Sequence, residues 1–141
     1  MEPNKIILQT KDFNDVIALL EKSDNTKIQP IKNELYNTIS MEGEKGVNGS
    51  TELFLKSLLD GSLVISRISL VVQRTGTGSI LFNMLKEYAI AKGFEKMVVE
   101  SVLTDTTRNF CVKIGFEPNE NWGTYIDGKF YGNYELDLSS K

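Results

Sequence analysis

The sequence has no histidine, one cysteine and three prolines in 141 residues. Without histidine there can be no Ser-His-Asp or Cys-His nucleophile pair, no imidazole base and no His-ligated zinc site. The lone Cys111 can form no intramolecular disulfide, and the N-terminal segment shows no basic stretch followed by an apolar signal core, so the cytoplasm is the expected compartment. Apolar runs are broken within a few residues by Ser or Lys, which excludes a membrane span. Sixteen Lys plus Arg against nineteen Asp plus Glu give a net charge of −3, and there is no basic run suited to a nucleic acid backbone. Any chemistry must come from carboxylate, thiol, phenol, amine, water or backbone.

What is present is ordinary for a globular chain: 40% hydrophobic and 25% charged residues, with a length that suits one domain over residues 1–141. Residues 5–10, with Ile6, Ile7 and Leu8, read as a short strand. Asp12 then stands at the N-cap of a helix burying Phe13, Val16, Ile17 and Leu20. Pro30 suits a first helical position, and Ile31, Leu35 and Ile39 at four-residue steps predict a second amphipathic helix. Residues 43–50 read as a glycine-rich loop. For residues 51–60, Leu53, Phe54, Leu55, Leu58 and Leu59 favour a short buried helix, although Asp60-Gly61 also suits a hairpin turn.

Residues 63–72 form the clearest strand, apolar on both faces and rich in β-branched side chains, as a central strand should be. A helix over residues 79–92 ends at Gly93, a strand covers residues 96–102, and Thr104 or Asp105 caps a short helix carrying Phe110, Cys111 and Ile114. A last β region begins at residues 116–118, turns at Asp127-Gly128 and alternates through Tyr134, Leu136 and Leu138.

Between the central strand and its helix lies Gln73-Arg74-Thr75-Gly76-Thr77-Gly78-Ser79. A helix N-terminus offers unpaired backbone N–H groups and a partial positive charge, and glycine lets a phosphate approach them closely. This turn lacks the lysine of a Walker loop, and Leu81 stands where a dinucleotide fingerprint needs its third glycine. Each dipole contact contributes about 0.3–2 kcal/mol, well short of the roughly 8 kcal/mol of micromolar binding, so a ligand must also be gripped elsewhere.

Gln73-x-x-Gly76-x-Gly78 after a buried strand, with Phe110-Cys111-Val112-Lys113-Ile114-Gly115-Phe116 downstream, resembles the GNAT superfamily of acetyl-CoA-dependent N-acetyltransferases over residues 63–118. The resemblance implies an α/β fold with a mixed central β-sheet flanked by helices, splayed between the fourth and fifth strands, here residues 63–72 and 96–102. Acetyl-CoA would lie in the splay as co-substrate. Backbone N–H groups of Arg74, Thr75, Gly76, Thr77, Gly78 and Ser79, following Gln73, would hold its pyrophosphate, and main-chain groups of Leu70, Val71 and Val72 its pantetheine arm.

No hairpin is evident ahead of the central strand, where that family has one, and Cys111 stands where it often has a tyrosine acid. Cys111 is therefore a candidate acid, with Tyr125, Tyr131 or Tyr134 as substitutes. Glu100, which closes the strand facing the splay, is the candidate base, or else the ion-pair partner of Arg67; Ser66, Ser69 and Ser101 either line the cleft or are simply tolerated in their strands. The late aromatics Trp122, Tyr125, Phe130, Tyr131 and Tyr134 form either a pocket wall or the packed face of a hairpin.

The implied activity is acetyl transfer to a small-molecule or peptide amine by direct attack. The alternative is a non-catalytic acyl-CoA-binding or protein-interaction module on the same fold. Neither nucleic acid nor membrane is an expected partner, and the sequence leaves the oligomeric state open, a homodimer included.

Overall fold

The computed structural model describes residues 6–45, 50–69 and 76–138. A 3-10 turn at Thr10–Phe13 leads into helix α1, Asn14–Asp24, which buries Val16 and Leu20 and closes on Asn25 in the left-handed conformation. Strands β1 (Gln29–Asn33), β2 (Thr38–Glu42), β3 (Glu52–Ser57) and β4 (Ser62–Ser69) follow. Helix α2 (Thr77–Lys92), strand β5 (Lys96–Val102), helix α3 (Asp105–Lys113) and strands β6 (Glu117–Ile126) and β7 (Lys129–Asp137) complete the described residues. The strands form one mixed sheet in the order β1-β2-β3-β4-β5-β7-β6, in which β4 and β5 are parallel neighbours and every other pair is antiparallel.

Three expectations are corrected. The helix predicted from Pro30 is the β1–β2 hairpin. Pro30 is tolerated because β1 is an edge strand that needs no N–H at every position. Leu35 and Tyr36, which completed the helical stripe, lie on the exposed turn, where the Tyr36 N–H donates to Asn33 Oδ1 at 3.1 Å. The helix predicted over residues 51–60 is β3 and its turn into β4. Leu53 and Leu55 alternate inward with Phe54 and Lys56 on the other face, and Gly61 at φ +89° makes the turn. Leu58 and Leu59, which imitated a helical period, are exposed turn residues. This β3–β4 hairpin is the one not evident from the sequence.

Residues 6–9 form no strand. Buried Asn37 holds them instead, accepting from the Leu8 N–H at 3.0 Å and donating to the Ile6 carbonyl at 2.7 Å, while Ser57 Oγ donates to the same carbonyl. Side chains thus satisfy the backbone that a ladder would have paired.

Elsewhere the periodicities hold, although Asp12, expected as a cap, lies inside the 3-10 turn and α1 starts after Phe13. Strand β5 spans the predicted residues, Thr104 is the cap of α3, its Oγ1 accepting from the Thr107 N–H, and Asp127 and Gly128 both take positive φ in the β6–β7 turn. One face of the sheet, including Ile39, Met41, Leu55, Leu63, Ile65, Met97, Val99 and Tyr134, packs with residues of all three helices into a continuous core. Val64 and Val98, paired across β4 and β5, are buried on the opposite face and lie outside that core. Among the described residues no helix is long and apolar enough to cross a membrane.

Candidate active site

The parallel pairing of β4 with β5 runs from Ser62↔Lys96 to Ile65↔Val99 and stops. Both strands bulge at that level. On β4, Phe54 faces Arg67 while Leu55 faces Ile65, leaving Ser66 as the extra residue. On β5, the register against β7 breaks between Val99 and Val102, with Ser101 at φ +56° and its N–H donating to Asn133 Oδ1 at 2.9 Å. A bulge bends its strand and raises the local twist, so two facing bulges drive the strands apart. The result is an open cleft of about 240 Å³ lined by Ser66, Arg67, Ile68, Glu100, Thr104 and Thr107, among others.

Glu100 stands where the strands part. Its Oε1 accepts from Ser66 Oγ at 2.8 Å and meets Lys56 Nζ at 3.1 Å. The expected pairing with Arg67 is not formed: Arg67 turns outward, two-thirds exposed, and lies 3.8 Å from Glu52. Lys56 belongs to the face of β3 opposite Leu55, so Glu100 opens on the sheet face away from the core, whereas α2 and α3 close the other face. A helical reading of residues 51–60 hides Lys56; the alternation of Leu53 and Leu55 with Phe54 and Lys56 is the signal for its position.

Helix α2 has Gly76 as its N-cap, whose φ of +84° is a left-handed value that glycine adopts without strain. Among the described residues no side chain caps this helix, and its first turn holds no acid. Ser79 is exposed, and buried Thr77 exchanges a hydrogen bond with Ser23 Oγ at 2.8 Å. A Cβ at Gly78 would meet the Phe110 ring of α3 at 3.4 Å, an ordinary contact distance, so the packing of α3 does not itself demand glycine there. The expectations for Leu70, Val71, Val72, Gln73, Arg74 and Thr75 fall outside the described residues.

No family model matches the sequence, and no curated protein matches it. Solved structures do. The ribosomal-protein-S18-alanine N-acetyltransferase from Escherichia coli superposes with a TM-score of 0.53 at 16% identity, over 96% of this chain and 93% of that one. A GNAT family acetyltransferase from Elizabethkingia anophelis with acetyl-CoA bound gives 0.51 at 15% identity, over 82% and 99%. An N-acetyltransferase from Staphylococcus aureus Mu50 gives 0.51 at 16%, over 94% and 96%. The chain has the GNAT fold. At such identities the likeness is one of architecture, and the splay between the fourth and fifth strands of that fold is the cleft described above.

Within the GNAT fold the candidate acids are dispersed. Cys111 is fully buried in α3, and burial pushes its thiol up to about 12, so it keeps its proton at any physiological pH. Modification by an aromatic disulfide at neutral pH is therefore expected to follow unfolding, with at least about a hundredfold acceleration in denaturant; rapid stoichiometric labelling of the native chain would contradict this burial.

Tyr134 Oη donates to the Phe130 carbonyl at 2.8 Å, and burial raises its phenol. Tyr131 donates to Asp105 and Tyr125 to Glu120, and in each the hydrogen bond to the carboxylate is the main reason the phenol is raised. Phe130 packs edge-on against both Tyr125 and Tyr134, and Trp122 is two-thirds exposed. None of these aromatics lines the cleft; Phe130 and Tyr134 are packed into the core, whereas Trp122 and Tyr125 are exposed on the β6–β7 hairpin. Among the described residues no group of three or more His, Cys, Asp or Glu side chains is placed to hold a metal ion.

Proposed function

We propose that the chain transfers an acetyl group from acetyl-CoA to an amine of a small molecule or peptide. The observation that carries this reading is a splay opened by two bulges with a carboxylate at the parting of the strands, supported by a helix that follows β4 in the chain and has no side-chain cap among the described residues. The first turn of α2, with Gly76, Thr77, Gly78 and Ser79, offers N–H donors and a positive dipole to the pyrophosphate, completed by Arg74 and Thr75. Main-chain groups of Leu70, Val71 and Val72, which follow β4 in the sequence, would take the pantetheine arm as an added strand does.

An alkylammonium of pKa about 10.4 is neutral in less than about one part in a thousand at pH 7. Glu100, open to the face from which an acceptor enters, removes that proton, directly or through water. The amine nitrogen then attacks the thioester carbonyl and the thiolate departs. With an ordinary thiol pKa near about 8.5, the thiolate leaves without strong help from an acid, so the reading assigns no step to Cys111. A non-catalytic acyl-CoA-binding module is the second reading, favoured by the ion pair that already occupies Glu100. An acceptor screen that detects released thiol separates the two.

Ser79→Glu tests the anion site without harming the fold. At the third position of α2 a carboxylate favours the helix dipole by about 0.3–1 kcal/mol, so the melting temperature should hold or rise. The same charge about 8 Å from a diphosphate, at an effective dielectric near 20, costs about 2 kcal/mol per facing charge, and calorimetric affinity for acetyl-CoA should fall at least about tenfold. Unaltered affinity would remove the site.

A further inference from the structure

Glu100, the group read above as the base for an incoming ammonium, already holds one. Lys56 Nζ lies 3.1 Å from Glu100 Oε1, the same oxygen that accepts from Ser66 Oγ at 2.8 Å. We propose that Lys56 is itself a substrate of the cleft and is acetylated in cis, an inference that rests on the acetyl transfer proposed above.

Lys56 is the register partner of Val64, which is 1% exposed although it lies outside the main core. Its stem therefore crosses β4 on the helix-free face, covering Val64 and carrying the ammonium to β5 just where the two parallel strands separate. An external acceptor would come by the same route, because α2 and α3 occupy the other face. A reactant anchored in the sheet that forms the cleft needs no diffusional encounter, which is a large kinetic advantage over any free amine. Among the described residues the other lysines with ion-pair partners meet Asp12, Glu135 and Asp105, none of which lines the cleft.

In the transfer, the Lys56 ammonium yields one proton to solvent by way of Glu100, and the neutral nitrogen adds to the thioester carbonyl. The C–N bond forms as the C–S bond breaks, and the second proton from nitrogen ends on the departing thiolate, giving free CoA and an N-acetylated lysine. The modified side chain is neutral, so Glu100 loses its cation and the cleft loses the ammonium that competes with outside amines.

The experiment is incubation of the full chain with acetyl-CoA and no acceptor, followed by intact-mass measurement and peptide mapping, with acetyl-CoA binding measured in parallel by calorimetry. One acetyl group per chain is expected, on the peptide containing Lys56, at a first-order rate independent of protein concentration. Lys56→Arg, which preserves the ion pair, should abolish it, and Glu100→Gln should slow it about a hundredfold or more. Acetyl groups spread over exposed lysines, at rates Glu100→Gln does not change, would overturn the proposal as mere chemical acylation. Transfer to added amines with Lys56 unmodified would overturn it and leave the acetyltransferase reading standing; absence of acetyl-CoA binding would overturn both.

Discussion

Glu100→Gln is expected to lower the turnover of an amine acceptor by about 10²–10⁴, the range over which a positioned base contributes, while leaving the affinity for acetyl-CoA unchanged. The substitution keeps the shape of the side chain and an oxygen able to accept from Ser66 Oγ, so the bulged end of β4 keeps its contact. It removes only the negative charge and the capacity to take up a proton. The lost ion pair with Lys56 is about one-third exposed on both sides, and pairs so placed are worth about 0–1 kcal/mol, so the melting temperature should move by no more than a few degrees. The decisive readouts are kcat with a simple primary amine and a parallel calorimetric titration with acetyl-CoA. Turnover within a factor of about three of the original would exclude Glu100 as base; a matching loss of acetyl-CoA affinity would show that the carboxylate holds the cleft together instead.

Glu100 is legible in the sequence and Lys56 is not, a difference that reflects where one-dimensional patterns carry information. Around Glu100 the local signals agree: β-branched residues make β5 a strand, and α2 and α3 each stop at a glycine with positive φ. Motif spacing therefore maps directly onto space there, and the parting of β4 from β5 falls where the resemblance placed it. Upstream, local propensity and tertiary outcome disagree. Leu35, Tyr36, Leu58 and Leu59 sit at hairpin tips, exposed, at intervals that imitate one face of a helix. Their neighbours Ile39, Met41, Leu53 and Leu55 are buried only because β2 and β3 pair with each other and with β4, and such long-range pairing leaves no local trace. The Glu100–Lys56 pair joins residues from the legible and the illegible halves, which is why the sequence offers Arg67 in its place.

The cleft also depends on a seam that no motif marks, and Gly132→Ala is the substitution expected to open it. Gly132 is the point where three strands converge, facing Val102 of β5 on one side and Gly123 of β6 on the other. Its φ is +148°, and a Cβ there would lie 2.3 Å from the Trp122 carbonyl oxygen and 2.5 Å from Gly123 Cα. Both are backbone atoms, which cannot swing aside as a flexible side chain would, so relief requires β6 and β7 to separate. Overpacking costs about 1–3 kcal/mol and the unfavourable backbone conformation about 1–2 more, a loss of roughly 3 kcal/mol, or about 10 °C in melting temperature for a chain of this size. Gly128→Ala is the matched control: its φ of +80° carries similar strain, but nothing lies within 4 Å of its Cβ, and about 1 kcal/mol is expected. Equal melting temperatures for the two variants would refute the crowding at Gly132. Because Val102 lies two residues beyond Glu100, and Ser101 between them is tied to Asn133, loosening this seam frees the end of β5. Gly132→Ala should then lose acetyl transfer at temperatures where it is still folded, whereas Gly128→Ala keeps it.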